Sequence, residues 1–179
     1  MSTNTLYTYL QPAKNFFEET GKISVFAFRF FREVISPPFE WKEMFRQSFL
    51  LGYRSLFLVT MTSFIMGVVL TLQSRPTMMR FGAESWIPYM IGISIIREIG
   101  PMITAMVCAG KVASGIGAEL GSMKVTEQID AMEVSGTNPY KFLVVTRVLG
   151  ITLMLPLLVI IGDTVSLLGS WMVEATKGE

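Results

Sequence analysis

Histidine is absent from the sequence, and the single cysteine, Cys108, lies inside a hydrophobic stretch. These absences exclude a disulfide framework, a zinc site built from cysteine and histidine, and acid–base catalysis by histidine. We therefore expect neither a catalytic residue nor a metal site in this chain. Most classes of enzyme are excluded at this point.

Charge is also scarce: charged residues make up 16% of the 179 residues, the net charge is +1, and 51% of the residues are hydrophobic. A water-soluble domain of this size would lack the polar side chains to cover its surface. With a net charge of only +1, nothing in the sequence suggests the clustered basic surface that a nucleic-acid partner requires. The first twenty residues lack the apolar core and cleavage site of a signal peptide, so we expect the N-terminus to stay in the cytoplasm.

Three segments are long and apolar enough to cross a membrane. The first, Ser55 to about Gln73, lies in an uncharged run of 20 residues, which as a helix would span about 30 Å, the thickness of a bilayer core. The second runs from about Trp86 to Gly110 and the third from about Phe142 to Val173. We predict an all-α integral membrane protein, with a cytoplasmic N-terminus and interfacial helices in residues 1–54 and a transmembrane domain in residues 55–179.

A basic amphipathic helix is predicted before the first span, from Lys22 to Ile35, because apolar residues recur there at helical spacing. The membrane interface suits it better than the core of a soluble domain, which is the alternative. Pro37-Pro38 should end it, and a second interfacial stretch, residues 39–54, leads into the first span. Lysine and arginine are concentrated before residue 55 and in the second loop, which places both on the cytoplasmic side.

The loop between the second and third spans, residues 117–142, predicts a short helix from Glu127 to about Val134, capped by Thr126 and ended by Ser135-Gly136. One arc of this helix is acidic and the opposite arc is mainly apolar. This pattern favours docking on a partner over resting on an anionic membrane surface. The acidic arc consists of Glu127, Asp130 and Glu133, and the opposite arc of Gln128, Ile129 and Met132.

Small residues recur at every fourth position from the second span into this loop. Such rows let helices approach closely in lipid, either within one chain or between subunits. The row predicts that the helix continues past the bilayer edge and stays tightly packed. Its members are Ala109, Ala113, Gly117 and Gly121.

Arg97, Glu98 and Asp163 are charged residues within the predicted spans. A charge near mid-span costs at least about 2.5 kcal/mol on insertion scales, so each should face protein, water or a polar ligand. Arg97 and Glu98 precede the helix-loosening pair Gly100-Pro101 and are candidates for the wall of a lipid cavity, although pairing with neighbouring helices is equally open. Asp163 is a further candidate for the cavity or for a polar contact within the spans, although the nearby row Gly162, Ser166 and Ser170 suggests that it faces a packed helix.

The runs IREIGPMITAMVCAGKVASGIGAEL (Ile96 to Leu120) and ELGSMKVTEQIDAMEVSGTNPYKFLVVTRVL (Glu119 to Leu149) resemble the MlaE-type permeases of ATP-binding-cassette transporters, which move phospholipids or other lipids between membranes. The resemblance extends over roughly Phe16 to Val173. It implies a homodimer bound to two cytoplasmic ATPase subunits, with the predicted short helix and the nearby Glu119 coupling permease to ATPase. ATP and Mg²⁺ would belong to the ATPase, since this chain has no Walker A loop.

The resemblance also implies an outward-facing dimer cavity for lipid and a substrate-binding protein with an MCE domain on the far side. Members of the family continue through further spans, so we expect this chain to be truncated at its C-terminus. The predicted function is that of a permease subunit in the inner membrane of a bacterium. The alternative is a membrane scaffold that recruits a soluble partner through the same helix, and an intramembrane enzyme using Glu98 or Asp163 ranks below both.

Overall fold

The computed structural model describes residues 3–37 and 39–177, and every regular element within them is helical. Three of its helical stretches are long and apolar enough to cross a membrane: Trp41–Arg80, Glu84–Val125 and Lys141–Thr176. The predicted all-α membrane fold with three spans is therefore confirmed.

The described residues form six α-helices and three short irregular turns. The helices are α1 (Thr3–Ile35), α2 (Trp41–Arg80), α3 (Ile87–Ser94), α4 (Gly100–Val125), α5 (Gln128–Val134) and α6 (Thr146–Lys177). A 3₁₀ turn, Glu84–Trp86, precedes α3, and π-helical turns at Ile95–Ile99 and Lys141–Val145 precede α4 and α6. The second span thus consists of α3, a π turn and α4, and the third consists of a π turn and α6.

The first two helices are longer than their sequence patterns predicted. α1 ends at Ile35 as expected but begins at Thr3 rather than Lys22. Of the two prolines predicted to end it, Pro38 lies outside the described residues. α2 runs without a break through residues 39–54 from Trp41 onwards, passes Pro76 and ends at Arg80. Since proline removes only one N–H bond, a helix held by its neighbours can continue one more turn beyond it.

A seam of small residues joins α2 to α6, which run parallel to each other. A Cβ atom on Gly67 would overlap the backbone carbonyl of Ser166, so the two backbones are in direct contact there. One turn further on, the Thr71 hydroxyl donates a hydrogen bond of 2.8 Å to the Ser170 hydroxyl. Close backbone approach and interhelical hydrogen bonds are the main attractions between helices in lipid. The α2 side of the seam is buried and consists of Ser48, Gly52, Ser55, Val59, Ser63, Gly67 and Thr71.

α4 runs antiparallel to this pair, as the middle of three successive spans must. Its side chains Thr104, Cys108 and Val112 are buried, and Cys108 packs with Val59 of α2 and Leu158 of α6. At the other end of the spans, Ile87 and Ile91 of α3 and Ile95 of the π turn pack against Leu70, Met78 and Leu167. The interior is therefore built from the three spans, with bulky residues such as Phe57 and Ile65 left on the outer surface.

Candidate functional site

The predicted docking helix exists as α5, but its start differs from the sequence expectation. Glu127 is not in the helix: it has φ of 56° and ψ of 16°, the left-handed region, and precedes the first helical residue, Gln128. The prediction that Thr126 caps α5 is wrong as well. The Thr126 hydroxyl donates to the Ser122 carbonyl at 2.8 Å and so completes the end of α4. A two-residue connection between α4 and α5 requires a sharp turn, and the left-handed residue provides it.

The end of α5 agrees with the prediction. Gly136 has φ of 78°, and the backbone N–H groups of Gly136 and Thr137 donate to the carbonyls of Glu133 and Met132 at 3.0 Å each. This is the pattern of a helix closed by a left-handed residue, and glycine adopts that conformation without a steric cost. The Ser135-Gly136 stop is confirmed.

Two of the acidic residues assigned to docking bind cations of this chain. The Asp130 carboxylate lies 2.7 Å from the Lys124 ammonium and ties α5 to the last turn of α4. The Glu119 carboxylate lies 2.9 Å from the guanidinium of Arg147, whose side chain is only 3% exposed. The sequence analysis used Arg147 only as a positive charge that indicates orientation, and it did not predict that this side chain is buried.

The exposed side of α5 is also different from the predicted apolar arc. Ile129 and Met132 are half-buried, whereas the side chains of Val125 and Val134 are 84% and 91% exposed. Exposed apolar side chains rimmed by charge are typical of a surface that contacts a partner. We call the following residues the α5 surface: Val125, Glu127, Gln128, Glu133 and Val134, all of them exposed.

Tyr140 connects the loop after α5 to the amphipathic helix α1. Its hydroxyl donates to the Phe26 carbonyl at 2.8 Å, and its ring meets the Phe26 ring edge to face at 5.0 Å. The Arg29 guanidinium lies 4.6 Å from the centre of the Tyr140 ring. Burial raises the pKa of the Tyr140 phenol, which is protonated at neutral pH even without that shift and so can donate this hydrogen bond. The next residue, Lys141, donates through its ammonium group to the Ser36 carbonyl just beyond α1.

These two contacts were missed in the sequence, where Lys141 served only for orientation and Tyr140 had no assigned role. The available signal was the Asn138-Pro139 turn. The Asn138 side-chain oxygen accepts the backbone N–H of Tyr140 at 3.1 Å, which fixes the start of the third span. A turn anchored in this way holds the residues after it in one orientation toward α1.

The small-residue row on α4 is open rather than packed. Ala109, Ala113, Gly117 and Gly121 are all exposed, and among the described residues no atom lies within 4 Å of a Cβ built on Gly117 or Gly121. The helix does continue to Val125 as expected. The prediction that the row packs tightly is therefore wrong within the chain, since its four residues are exposed. The close intramolecular contact lies between α2 and α6 instead.

The intramembrane charges occupy two separate places. Arg97 and Glu98 lie in the π turn Ile95–Ile99 and are exposed on the outer surface. Arg97 borders an open cavity lined by Pro88, Tyr89, Gly92, Ile93 and Ile96. Asp163 instead points inward, with one carboxylate oxygen against Gly100 of α4. The structure therefore does not bring the three charges into one site.

Comparison with known proteins gives a consistent result. The family described as Permease MlaE matches residues 44–178. A probable ABC transporter permease protein of Rickettsia felis is 39% identical over 162 residues, which cover 90% of this chain and 62% of that protein. The intermembrane phospholipid transport system permease protein MlaE of Haemophilus influenzae is 30% identical over 128 residues, covering 72% of this chain and 49% of that protein.

A probable ABC transporter permease protein of Synechocystis is 30% identical over 175 residues, covering 98% of this chain and 64% of that protein. The chain thus spans less than two thirds of the length of these curated relatives.

Proposed function

The chain belongs to the MlaE permease family, and we propose that it is the membrane-embedded permease subunit of an ATP-binding-cassette transporter that moves phospholipid or a related lipid between membranes. It is not an enzyme in this proposal, because ATP and Mg²⁺ are bound and ATP is hydrolysed by a separate ATPase subunit. The observation that carries the proposal is the α5 surface, with one valine exposed on the short helix α5, another at the adjoining end of α4, and α5 itself tied to the spans.

The contacts of α5 support a role in transmitting motion. The Lys124–Asp130 pair joins α5 to α4, and the Tyr140 contacts join the following loop to α1. An ATPase that moves α5 would therefore move the second span and the amphipathic helix with it. Such motion changes transport only if lipid binds the resulting conformations with different affinities.

The arrangement of the spans supports a homodimer with a lipid cavity. The open row Ala109, Ala113, Gly117 and Gly121 offers a second subunit the close backbone contact that helices use in lipid. Arg97 and Glu98 lie in the π turn beside an open cavity, where a polar lipid headgroup could pair with them.

Orientation and outside partners complete the proposal. The N-terminus and α5 face the cytoplasm of a bacterium, in agreement with the distribution of lysine and arginine. A substrate-binding protein with an MCE domain meets the permease on the far side of the inner membrane.

The test is co-purification of the permease, expressed from its own gene, with the ATPase encoded beside it. In Val134→Asp the exposed valine becomes a charge that would have to be buried in the complex. Since burying a valine contributes about 1.5 kcal/mol or more, we expect ATPase affinity to fall at least about tenfold. Thr137→Asp, which adds the same charge to an exposed position in the same loop, is the matched control.

Three readouts separate the outcomes: bound ATPase, ATP hydrolysis rate and co-purified phospholipid. The proposal predicts that wild type and Thr137→Asp bind the ATPase and alter its rate, while Val134→Asp does neither. If wild type binds the ATPase without altering its rate or retaining lipid, the chain is a scaffold. If Val134→Asp binds as wild type does, α5 is not the docking helix.

A further inference from the structure

Three buried oxygen atoms without hydrogen-bond partners lie where α2, α4 and α6 cross. They belong to Ser63, Thr104 and Asp163, one residue from each helix. The Ser63 and Thr104 side chains are 2% and 0% exposed. A buried polar group without a partner costs about 1–3 kcal/mol, and a charged group costs more. Three such groups on three facing helices indicate a bound species that satisfies them.

Two glycines make space for this site. A Cβ on Gly162 would lie 2.9 Å from the Ser63 hydroxyl oxygen and 3.2 Å from that of Thr104, so both hydroxyls border the same point on α6. A Cβ on Gly100 would overlap the Asp163 carboxylate oxygen and lie 2.9 Å from the Ile95 carbonyl. Gly162 adjoins Asp163 on α6, and Gly100 lies about one turn from Thr104 on α4, so the two points are neighbours and neither glycine places a side chain between them.

Apart from a methyl carbon of Val59, 3.3 Å from the Cβ position on Gly162, the atoms nearest these two points are oxygens and the carboxylate carbon of Asp163, and they carry one negative charge. No ion pair involves Asp163 in the described chain, and Arg147, the most buried cation of the third span, is paired with Glu119 at the end near α5. An ionised carboxylate within a membrane span needs a positive partner. Oxygen-only coordination with a single carboxylate fits a hard monovalent cation, because sites for Ca²⁺ usually contain several carboxylates.

We propose that Ser63, Thr104 and Asp163, together with the Ile95 carbonyl, bind Na⁺ at the crossing of α2, α4 and α6. The Ile95 carbonyl accepts the Gly100 N–H within the π turn that interrupts the second span, which leaves its second lone pair for a cation. Interrupted helices within membranes are where backbone carbonyls bind cations. This site departs from the expectation of no metal site, which considered only cysteine and histidine ligands.

The site does not depend on the proposed transport function, and its test measures stability and ion binding only. The purified full chain is unfolded by heat in detergent with increasing NaCl, and with choline chloride at matched ionic strength. A ligand that binds only the folded state increases the folded-to-unfolded ratio tenfold for each tenfold rise in concentration above its Kd. We expect the midpoint to rise with NaCl and to stay constant with choline chloride.

Variants locate the effect. Thr104→Val and Asp163→Asn should abolish the Na⁺-dependent rise and the binding of one equivalent of ²²Na⁺. Thr164→Val is the control, because the Thr164 hydroxyl is exposed and donates to the Ile160 carbonyl of its own helix at 2.8 Å. It should keep both the rise and the binding.

Two results would overturn the proposal. Equal midpoints in NaCl and choline chloride, with no bound ²²Na⁺, would mean that water or a proton on Asp163 satisfies the three oxygens. Retention of full Na⁺ binding by Thr104→Val and Asp163→Asn would place the ion elsewhere. If Asp163→Asn does not fold, Thr104→Val decides the matter, since valine keeps the shape of threonine.

Discussion

Replacing Gly67 with alanine should weaken the packing of α2 on α6. The added methyl group would overlap the Ser166 carbonyl and lie 2.9 Å from the Ser166 hydroxyl oxygen. Backbone atoms cannot rotate away, so the helices must separate. Overpacking of this kind costs about 1–3 kcal/mol, and separation would also lengthen the Thr71–Ser170 hydrogen bond one turn away, a type of contact that contributes about 0.6 kcal/mol in membranes.

The same substitution at Gly115 should have the opposite sign. Gly115 lies inside α4, and no atom of the described chain is within 4 Å of a Cβ built there. Alanine at a free helical position is favoured over glycine by about 0.5–1 kcal/mol. Gly67→Ala and Gly115→Ala therefore compare the effect on stability of a methyl group added in the α2–α6 seam with that of a methyl group added where no described atom is near.

Thermal unfolding in detergent measures both variants. For a chain of this length we expect the midpoint of Gly67→Ala to fall by about 2–4 °C for each kcal/mol lost, and that of Gly115→Ala to stay constant or rise. If Gly67→Ala unfolds at the temperature of the wild type, the direct backbone contact between α2 and α6 is wrong. A large loss in Gly115→Ala would instead show that something outside the described chain covers that side of α4.

Two further substitutions test individual polar contacts. Glu119→Ala leaves the buried guanidinium of Arg147 without its carboxylate and should cost about 2 kcal/mol in unfolding free energy. Asp130→Ala removes an exposed ion pair and should leave the midpoint of thermal unfolding nearly unchanged. Equal effects of the two substitutions would contradict the difference in burial between the pairs. Tyr140→Phe keeps the ring contacts with Phe26 and Arg29 but removes the hydrogen bond, so limited proteolysis should cut α1 several-fold faster. Unchanged cleavage would mean that the ring contacts and the Lys141–Ser36 hydrogen bond hold the helix without the Tyr140 hydroxyl.

Long-range hydropathy and local turn signals predicted the main elements well. The three spans follow from uncharged runs long enough for a bilayer, and the end of α5 follows from Gly136. Each of these features depends on one continuous segment of the sequence and not on contacts between distant segments. The start of α5 was predicted less well, because Thr126 can bond either to α5 or back to α4, and only the path of the chain decides between them.

Helix packing was the part that sequence could not assign. A row of small residues shows that a helix can be approached closely, but it does not identify the approaching helix. The row at Gly117 and Gly121 was the more conspicuous one and is open within the chain. The α2 row at Gly52, Ser63 and Gly67 was hidden among bulky lipid-facing residues, and it forms the actual seam.

These packing differences bear on which span moves under the proposed function. α2 and α6 contact each other backbone to backbone at Gly67, so sliding one along the other would disrupt several contacts at once. The half of α4 that leads to α5 is mostly exposed between residues 113 and 122. Because closely packed interfaces resist displacement, a pull on α5 moves the second span relative to the α2–α6 pair, together with the second subunit that we propose packs on its open row.

The proposed Na⁺ site lies at the joint that such a motion would strain. Thr104 belongs to the moving helix, whereas Ser63 and Asp163 belong to the pair that stays together. A cation bound by all three would resist the displacement of α4, since the displacement would remove at least one ligand. Na⁺ should therefore bind one conformation of the permease more tightly than the other, and ATPase-driven motion should weaken Na⁺ binding by the same factor by which Na⁺ opposes that motion.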